Sequence, residues 1–257
     1  MVFEEWRDYF ERNPARQEAI EASVDWDAPC TLPDATRRAL VRSFQRFELG
    51  EAGEGERLLR KAADAGDPVY LSALTLLVRE EQRHSALFAR GLAHLGASRL
   101  TSHWSDAAFT TLRRMLGLRT ELALFLIAES TALEYFHAVA TAGPDGVIRG
   151  IGRRILTDEV EHLRFQVDRL RIGFDRTPPP ARLLVGLAWG VIAAGAAAVL
   201  AFDHGAALRA CGIRPSDYWG RAMRHFRRTA VAVLFQPGRG VEGPSTRVVD
   251  QASVNNS

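Results

Sequence analysis

Residues 79–88 read REEQRHSALF and residues 157–166 read TDEVEHLRFQ, and both stretches follow one pattern. Each contains an acidic pair, two further residues and a histidine. A glutamate and a histidine therefore stand three positions apart twice, as Glu81 with His84 and Glu159 with His162. Residues at positions i and i+3 share one face of an α-helix. Because both pairs interrupt apolar stripes of helical spacing, we expect both to face a helical core.

Four segments carry apolar residues with helical spacing, which predicts four amphipathic helices. Each apolar stripe passes through one acid at a position that should be buried, and these acids are Glu51, Glu81, Glu129 and Glu159. Turns at 65–68 and 143–146 join the helices into two pairs. A longer connection, over about residues 97–117, joins the two pairs. Two hairpins linked by one long crossover are typical of ferritin-like four-helix bundles.

The spacing of the acids predicts two equivalent hairpins. Glu51 precedes Glu81 by 30 residues, and Glu129 precedes Glu159 by 30 residues. In an antiparallel helix pair, residues that face each other are nearly equally far from the turn. Each pair of glutamates is therefore expected to meet. The first helix is expected to continue unbroken past Glu51. Glu48 is the alternative to Glu51, but it lies about 4.5 Å further along the helix at 1.5 Å per residue. The spacing therefore favours Glu51.

Six ionisable groups in one core need a cation, because burying an unpaired carboxylate costs several kcal/mol. Two metal ions would neutralise four carboxylates, and two imidazoles would complete their coordination. The predicted ligands are Glu51, Glu81, His84, Glu129, Glu159 and His162. One Glu from each of two helices and Glu-x-x-His from each of the other two is the donor set of di-iron and di-manganese bundles.

The acids that precede the predicted ligands have a separate expected role. Metal-bound histidines usually donate their second N–H to a carboxylate or a carbonyl. Across the bundle, Asp158 is therefore expected to hold His84, and Glu80 is expected to hold His162. The alternative is that Glu80 and Asp158 are solvated surface acids.

Other histidines and the cysteines have simpler interpretations. Glu134 and His137 form a third Glu-x-x-His, but Glu134 is turned about 140° from Glu129 on a helix, which places the pair outside the site. The single histidines His94, His103 and His204 are expected to be structural. Cys30 and Cys211 are far apart and lack CxxC spacing, which indicates free thiols in a reducing compartment.

The predicted organisation surrounds the bundle with additional segments. Residues 1–35 form an N-terminal extension of short helices and loops, because this segment contains Pro14, Pro29 and Pro33. The bundle occupies 36–175, further helices occupy 176–235, and 236–257 form a disordered tail rich in Gly, Ser and Asn. The net charge is only +2 and the arginines, including Arg153 and Arg154, are scattered, which indicates a solvated face and argues against a nucleic-acid partner.

One stretch raises the question of a membrane. Leu183 to Phe202 are 20 uncharged residues, which is long enough to cross a bilayer, but seven are Ala and three are Gly. A buried or homodimer-forming helix is one interpretation, and contact with a membrane surface is the other. A basic amphipathic helix follows over about 216–234. The N-terminus has no secretory signal, so a cytoplasmic location is expected, with a peripheral membrane contact as the alternative.

Residues 37–175 resemble the ferritin-like non-haem di-iron carboxylate proteins, on the strength of Glu51, Glu129 and the two Glu-x-x-His segments. The resemblance implies an all-α, ferritin-like four-helix bundle with additional N- and C-terminal helices. It also implies an O2-activating di-iron oxidase or oxygenase that hydroxylates, desaturates or N-oxygenates an organic substrate. A ferroxidase or iron-binding protein and a manganese catalase are the alternatives.

The resemblance also implies how the site is occupied and which partners it needs. Two Fe ions are expected, with Mn as the alternative; Glu51, Glu81 and His84 would hold one and Glu129, Glu159 and His162 the other. Glu81 and Glu159 would bridge the two ions. The implied partners are O2, a small-molecule or acyl substrate, and an electron donor of the ferredoxin or flavin reductase type.

Overall fold

The chain is helical throughout most of the computed structural model, which describes residues 2–53, 55–102, 117–236 and 243–244. No β-strand occurs in these ranges, which confirms the all-α prediction for this part of the chain. The helices are α1 (Val2–Ala22), α2 (Asp34–Glu51), α3 (Glu56–Asp64), α4 (Pro68–His94), α5 (Leu118–Ala142), α6 (Gly146–Phe174), α7 (Pro179–Asp203), α8 (Gly205–Ala210) and α9 (Pro215–Leu234). Most of the predicted crossover and tail, and His103, lie outside the described residues.

The central bundle consists of α2, α4, α5 and α6. The hairpin of α5 and α6 is the most closely packed pair, because Gly152 leaves no side chain between the helices: a Cβ there would lie 2.6 Å from the backbone nitrogen of Ala140. Asp145 ends the turn as the N-cap of α6, and its side chain accepts hydrogen bonds from the amides of Val147 and Ile148. The second predicted hairpin therefore forms as expected from its turn.

The first hairpin differs from the prediction. α2 ends at Glu51, so the first helix is not continuous past this residue. Gly55 then adopts a φ of 64°, a left-handed conformation that glycine reaches readily, and the short α3 begins after it. Close packing requires the glycine as well, since a Cβ at Gly55 would lie 2.6 Å from a methyl carbon of Val78. The two hairpins are therefore not equivalent, although Glu51 still lies beside Glu81 of α4.

The N-terminal extension is one long helix, so the prediction of short helices and loops for residues 1–35 was wrong over residues 2–22. Pro14 removes a backbone donor and normally breaks a helix interior. Here one face of α1 is buried against α4 and α6 through Trp6, Phe10, Asn13 and Gln17. Trp6 also donates a hydrogen bond to Asp168 at 2.9 Å. These tertiary contacts hold the helix through the proline.

α7 lies on the outside of the molecule and presents most of its apolar surface to solvent. Two helices of the described residues are long and apolar enough to cross a membrane, but α5 is the core helix of the bundle, with 72% of its apolar window buried. Only 17% of the corresponding window of α7 is buried. Its packed stripe consists of Trp189, Ala193 and Ala197, which lie against the bundle. Within this chain, α7 is therefore not a buried helix.

Candidate metal centre

Two histidines and two glutamates meet in the middle of the bundle. Glu81 and His84 come from α4, and Glu159 and His162 come from α6; one ligand atom of each lies within 4.8 Å of the other three. The two imidazole rings are buried with their centroids 5.5 Å apart. Nδ1 of His84 lies 3.3 Å from Oε1 of Glu159, and Nδ1 of His162 lies 2.7 Å from Oε1 of Glu81. This cluster could hold a metal ion.

The outer nitrogen of each ring contacts an acid of the opposite helix. Nε2 of His84 lies 3.0 Å from Oδ2 of Asp158, and Nε2 of His162 lies 2.9 Å from Oε2 of Glu80. Both acids are buried, so they are not solvated surface acids. The crossed contacts fix the two rings so that their Nδ1 atoms face the cluster. That these rings are metal-bound stays a prediction.

A further layer of polar groups supports these two acids, and the sequence patterns did not identify it. Asn13 Nδ2 donates hydrogen bonds to Glu80 at 2.6 Å and to Asp158 at 3.1 Å, and Gln17 Nε2 donates to Asp158 at 3.1 Å. Arg154 is 1% exposed and pairs with Asp158, so it is a buried partner and not part of a solvated face. Arg154 lies four residues before Asp158 on α6, a spacing that could have signalled the pair.

The remaining two predicted ligands line the same cavity but lie outside the four-residue cluster. Glu51 interacts with Glu81, and one carboxylate oxygen of Glu129 accepts a hydrogen bond from Gln166 Nε2 at 2.6 Å. Glu48 is directed elsewhere: its Oε1 lies 3.2 Å from Ser85 Oγ and 3.3 Å from a guanidinium nitrogen of Arg99. The contacts thus favour Glu51 over Glu48 as a site residue.

Protons neutralise this collection of groups when no cation is bound. Burial raises the pKa of Glu51, Glu129 and Glu159, and repulsion from neighbouring carboxylates raises it further. Burial alone would also raise the pKa of Glu81, but the two imidazoles outweigh burial and hold this pKa well below the ordinary glutamate range. Burial would lower the pKa of the imidazoles, but contacts with the acids outweigh it and raise both values.

The donor atoms fit a bound metal. Several buried atoms of the site have no hydrogen-bond partner, and they are His84 Nδ1, His162 Nδ1, Glu81 Oε1, Glu129 Oε2 and Glu159 Oε2. Unsatisfied buried polar atoms are unfavourable, and a cluster of them demands an explanation. Cations bound beside the two rings would satisfy both nitrogens and the carboxylates. Imidazole and carboxylate donors suit iron, manganese and zinc, so these atoms do not identify the metal.

A cavity of about 520 Å³ opens beside the cluster. Its polar floor contains Glu51, Glu81, Glu129 and Glu159. Its walls are mostly apolar and come from all four bundle helices and from α3 and α7, including Leu74, Leu77, Leu122, Phe125, Ala128 and Leu200. The glutamates thus face the cavity. A small molecule could lie against the candidate metal centre.

We expect the wild-type chain to bind about two divalent metal ions, the number that this donor set holds in carboxylate bundles. His84→Ala and Glu81→Ala should each lower the affinity at least tenfold or remove one ion, because each change deletes a donor of the cluster. Metal content after dialysis, with helicity checked by circular dichroism, measures this. His137→Ala is the matched control and should bind as wild type. Equal metal content in His84→Ala and the wild type would contradict the assignment.

Metal binding should release protons. The raised pKa values of three carboxyls and both imidazoles favour their protonated forms in the metal-free protein, and a bound cation competes with these protons. Affinity should therefore fall as the pH decreases, by about tenfold per pH unit for each proton released. Calorimetry in buffers of different ionisation enthalpy counts these protons. An affinity that does not change with pH would show that the site is already deprotonated.

Comparison with known proteins gave no relative. No protein-family model matches the chain, no curated protein matches it, and no solved structure matches it. The candidate centre is therefore described by its geometry alone, in which two imidazoles and two carboxylates from α4 and α6 lie within 4.8 Å of one another.

Proposed function

We propose that this chain is a ferritin-like di-iron protein that acts as an O2-dependent oxidase or oxygenase on an organic substrate. The observation that carries the proposal is the pair of inward-facing Nδ1 atoms without hydrogen bonds, each on a ring whose Nε2 contacts a buried acid. Glu51, Glu81 and His84 would hold one iron, and Glu129, Glu159 and His162 would hold the other. Manganese is the alternative metal.

The chain's own groups would prepare the site for this chemistry. Iron ions bound there would supply the redox chemistry that activates O2 and oxidises the substrate. Asp158 and Glu80 hold the two rings in place from behind, and Arg154 balances the charge of Asp158. The apolar walls of the cavity exclude water around the reacting groups. An electron donor of the ferredoxin or flavin reductase type would restore the reduced state after each turnover.

The cavity favours an organic substrate over iron storage. Its volume of about 520 Å³ lies within the usual range for small-molecule pockets, about 300–1,000 Å³. Its apolar walls would bind a hydrocarbon portion, such as an acyl chain, and would direct one end toward the glutamate floor. A ferroxidase needs access for Fe(II) but no apolar chamber of this size. We therefore place the oxygenase ahead of a ferroxidase and a manganese catalase.

Anaerobic loading with Fe(II) followed by exposure to O2 tests the proposal. We expect about two irons per chain, O2 consumption that stops after one turnover, and renewed consumption when a reductant is supplied. The measurements are iron content and O2 uptake. Ala128→Trp is a useful variant, because it should fill part of the cavity and slow turnover of an apolar substrate while iron content stays unchanged.

Two other outcomes would replace the proposal. Accumulation of many irons per chain would identify iron storage. Fast peroxide disproportionation by the manganese-loaded protein, without O2-dependent oxidation by the iron-loaded protein, would identify a catalase. Unchanged O2 uptake in Glu81→Ala would show that the oxidation occurs elsewhere.

We also propose that the outer face of α7 contacts a membrane surface. This face is formed by Leu183, Leu184, Leu187, Val191, Ile192, Val199 and Phe202, which are 41–87% exposed. Because the opposite stripe packs on the bundle, α7 would lie along a membrane and not across it. Val199 also lines the cavity, so an apolar route leads from this face toward the candidate centre. An apolar substrate dissolved in a membrane could follow it.

Charge on the neighbouring helix favours a membrane over a second copy of the chain. α9 packs against α7 and exposes a series of arginines: Arg214, Arg221, Arg224, Arg227 and Arg228. Basic residues beside an apolar face match the anionic headgroups that surround an apolar bilayer interior. Two copies that met through α7 would instead bring two sets of arginines toward each other.

Vesicles containing anionic lipid test this contact. The wild-type chain should co-sediment with them, and Val191→Glu should reduce binding at least tenfold because it places a charge on the apolar face. Val160→Glu, a change at an exposed valine of α6, is the matched control and should bind as wild type. A stable homodimer that binds no vesicles and that Val191→Glu dissociates would assign the face to a second copy instead.

A further inference from the structure

Three polar residues from separate segments converge at one end of the bundle. Cys30 belongs to the connection between α1 and α2, His94 is the last residue of α4, and Asp145 precedes α6. One ligand atom of each lies within 4.8 Å of the other two. His94 is ten residues beyond His84 on α4, about 15 Å along the helix. The group is thus separate from the candidate metal centre.

The ring nitrogen Nε2 of His94 is buried and has no hydrogen-bond partner. Its side chain is 6% exposed, and Nε2 lies 3.2 Å from Oδ1 of Asp145 but in an orientation that makes no hydrogen bond. The carboxylate of Asp145 is held in place, because Oδ1 accepts hydrogen bonds from the amides of Val147 at 2.9 Å and Ile148 at 3.1 Å. A buried ring nitrogen therefore lies beside a fixed carboxylate without a hydrogen bond to it.

The thiol of Cys30 completes a set of metal ligands that is typical of zinc sites. Sulfur, imidazole nitrogen and carboxylate oxygen together are ligands of Zn²⁺. In tetrahedral coordination with bonds of about 2.0–2.2 Å, a nitrogen and an oxygen ligand stand about 3.4 Å apart, close to the separation of His94 Nε2 and Asp145 Oδ1. Cys30 is half-buried and forms no disulfide, so its sulfur is available.

We propose that Cys30, His94 and Asp145 form a second metal site, selective for Zn²⁺ or a similarly soft divalent cation. Because it contains a thiolate, its preference differs from that of the carboxylate-rich centre in the bundle, which suits harder ions. Three protein donors leave one coordination position for water. The bound ion ties the connection between α1 and α2 to the end of α4 and the beginning of α6. It thereby fixes the segment that follows α1, the helix that supports the candidate centre.

Cobalt(II) is the probe, because a cobalt–thiolate bond gives a strong near-ultraviolet charge-transfer absorption that carboxylate and imidazole ligands cannot give. Titration of the full chain with Co²⁺ should produce this absorption, and Zn²⁺ should displace it. Cys30→Ser should abolish the signal. Cys211→Ser, which changes the other cysteine, is the matched control and should retain it. The signal should also persist in Glu81→Ala, so the outcome is independent of the proposed oxygenase.

The other two donors have their own variants. His94→Gln should weaken Co²⁺ binding at least tenfold. Asp145→Asn should also weaken it, while keeping the N-cap of α6, since asparagine caps helices about as well as aspartate. Failure of the wild-type chain to develop the absorption, or its survival in Cys30→Ser, would overturn the proposal.

Thiol labelling supplies a second measurement that does not depend on variants. In the wild-type chain, Zn²⁺ should slow alkylation of Cys30 at least tenfold, as followed by mass spectrometry of the peptide that contains it. An alkylation rate of Cys30 that Zn²⁺ leaves unchanged would equally overturn the site.

Discussion

Crossed contacts between two histidines and two acids join α4 to α6 in the middle of the bundle. His84 reaches from α4 to Asp158 on α6, and His162 reaches from α6 to Glu80 on α4. These contacts fix the register of α4 against α6, because sliding either helix by one residue would break both. They also leave inward-facing nitrogens beside buried carboxylates. Such groups are costly in a core unless protons or cations neutralise them. The same residues therefore set the packing of the bundle and create its need for neutralising charge.

The helices outside the bundle serve this centre in different ways. α1 covers the outer side of the crossed pairs, where Asn13 and Gln17 donate hydrogen bonds to the two acids. Its aromatic residues Trp6 and Phe10 are buried beside them. α7 closes one side of the cavity with Ala196, Val199 and Leu200 and leaves most of its larger apolar residues in solvent. One additional helix thus supports the polar side of the site and another completes its apolar side. The exposed face of α7 is where the chain would meet an apolar environment.

Much of the fold and of the site could be predicted because both have local signatures. A stripe of helical period identifies a helix, and a donor pair spaced three residues apart identifies a shared face. The errors came where tertiary packing outweighed a local signal. Pro14 indicated a break in α1, but the buried face on either side of it holds the helix together. Equal spacing indicated an unbroken first helix, but α2 ends at Glu51 and the left-handed Gly55 precedes a separate helix, α3. Arg154 resembled one of many surface arginines because composition carries no information about which charge has a buried partner.

The all-helical class, the two Glu-x-x-His pairs and the acids beside them are evident from the amino-acid order alone, since they follow from periods of three and four residues. Which groups meet from distant parts of the chain depends on tertiary packing. It placed Asn13 against Glu80, separated Glu48 from the cavity, and left the apolar face of α7 exposed. It also brought Cys30 to the end of α4, beside His94. The physical reason is that contacts between distant segments depend on helix ends, crossing points and side-chain volume, none of which a local repeat contains.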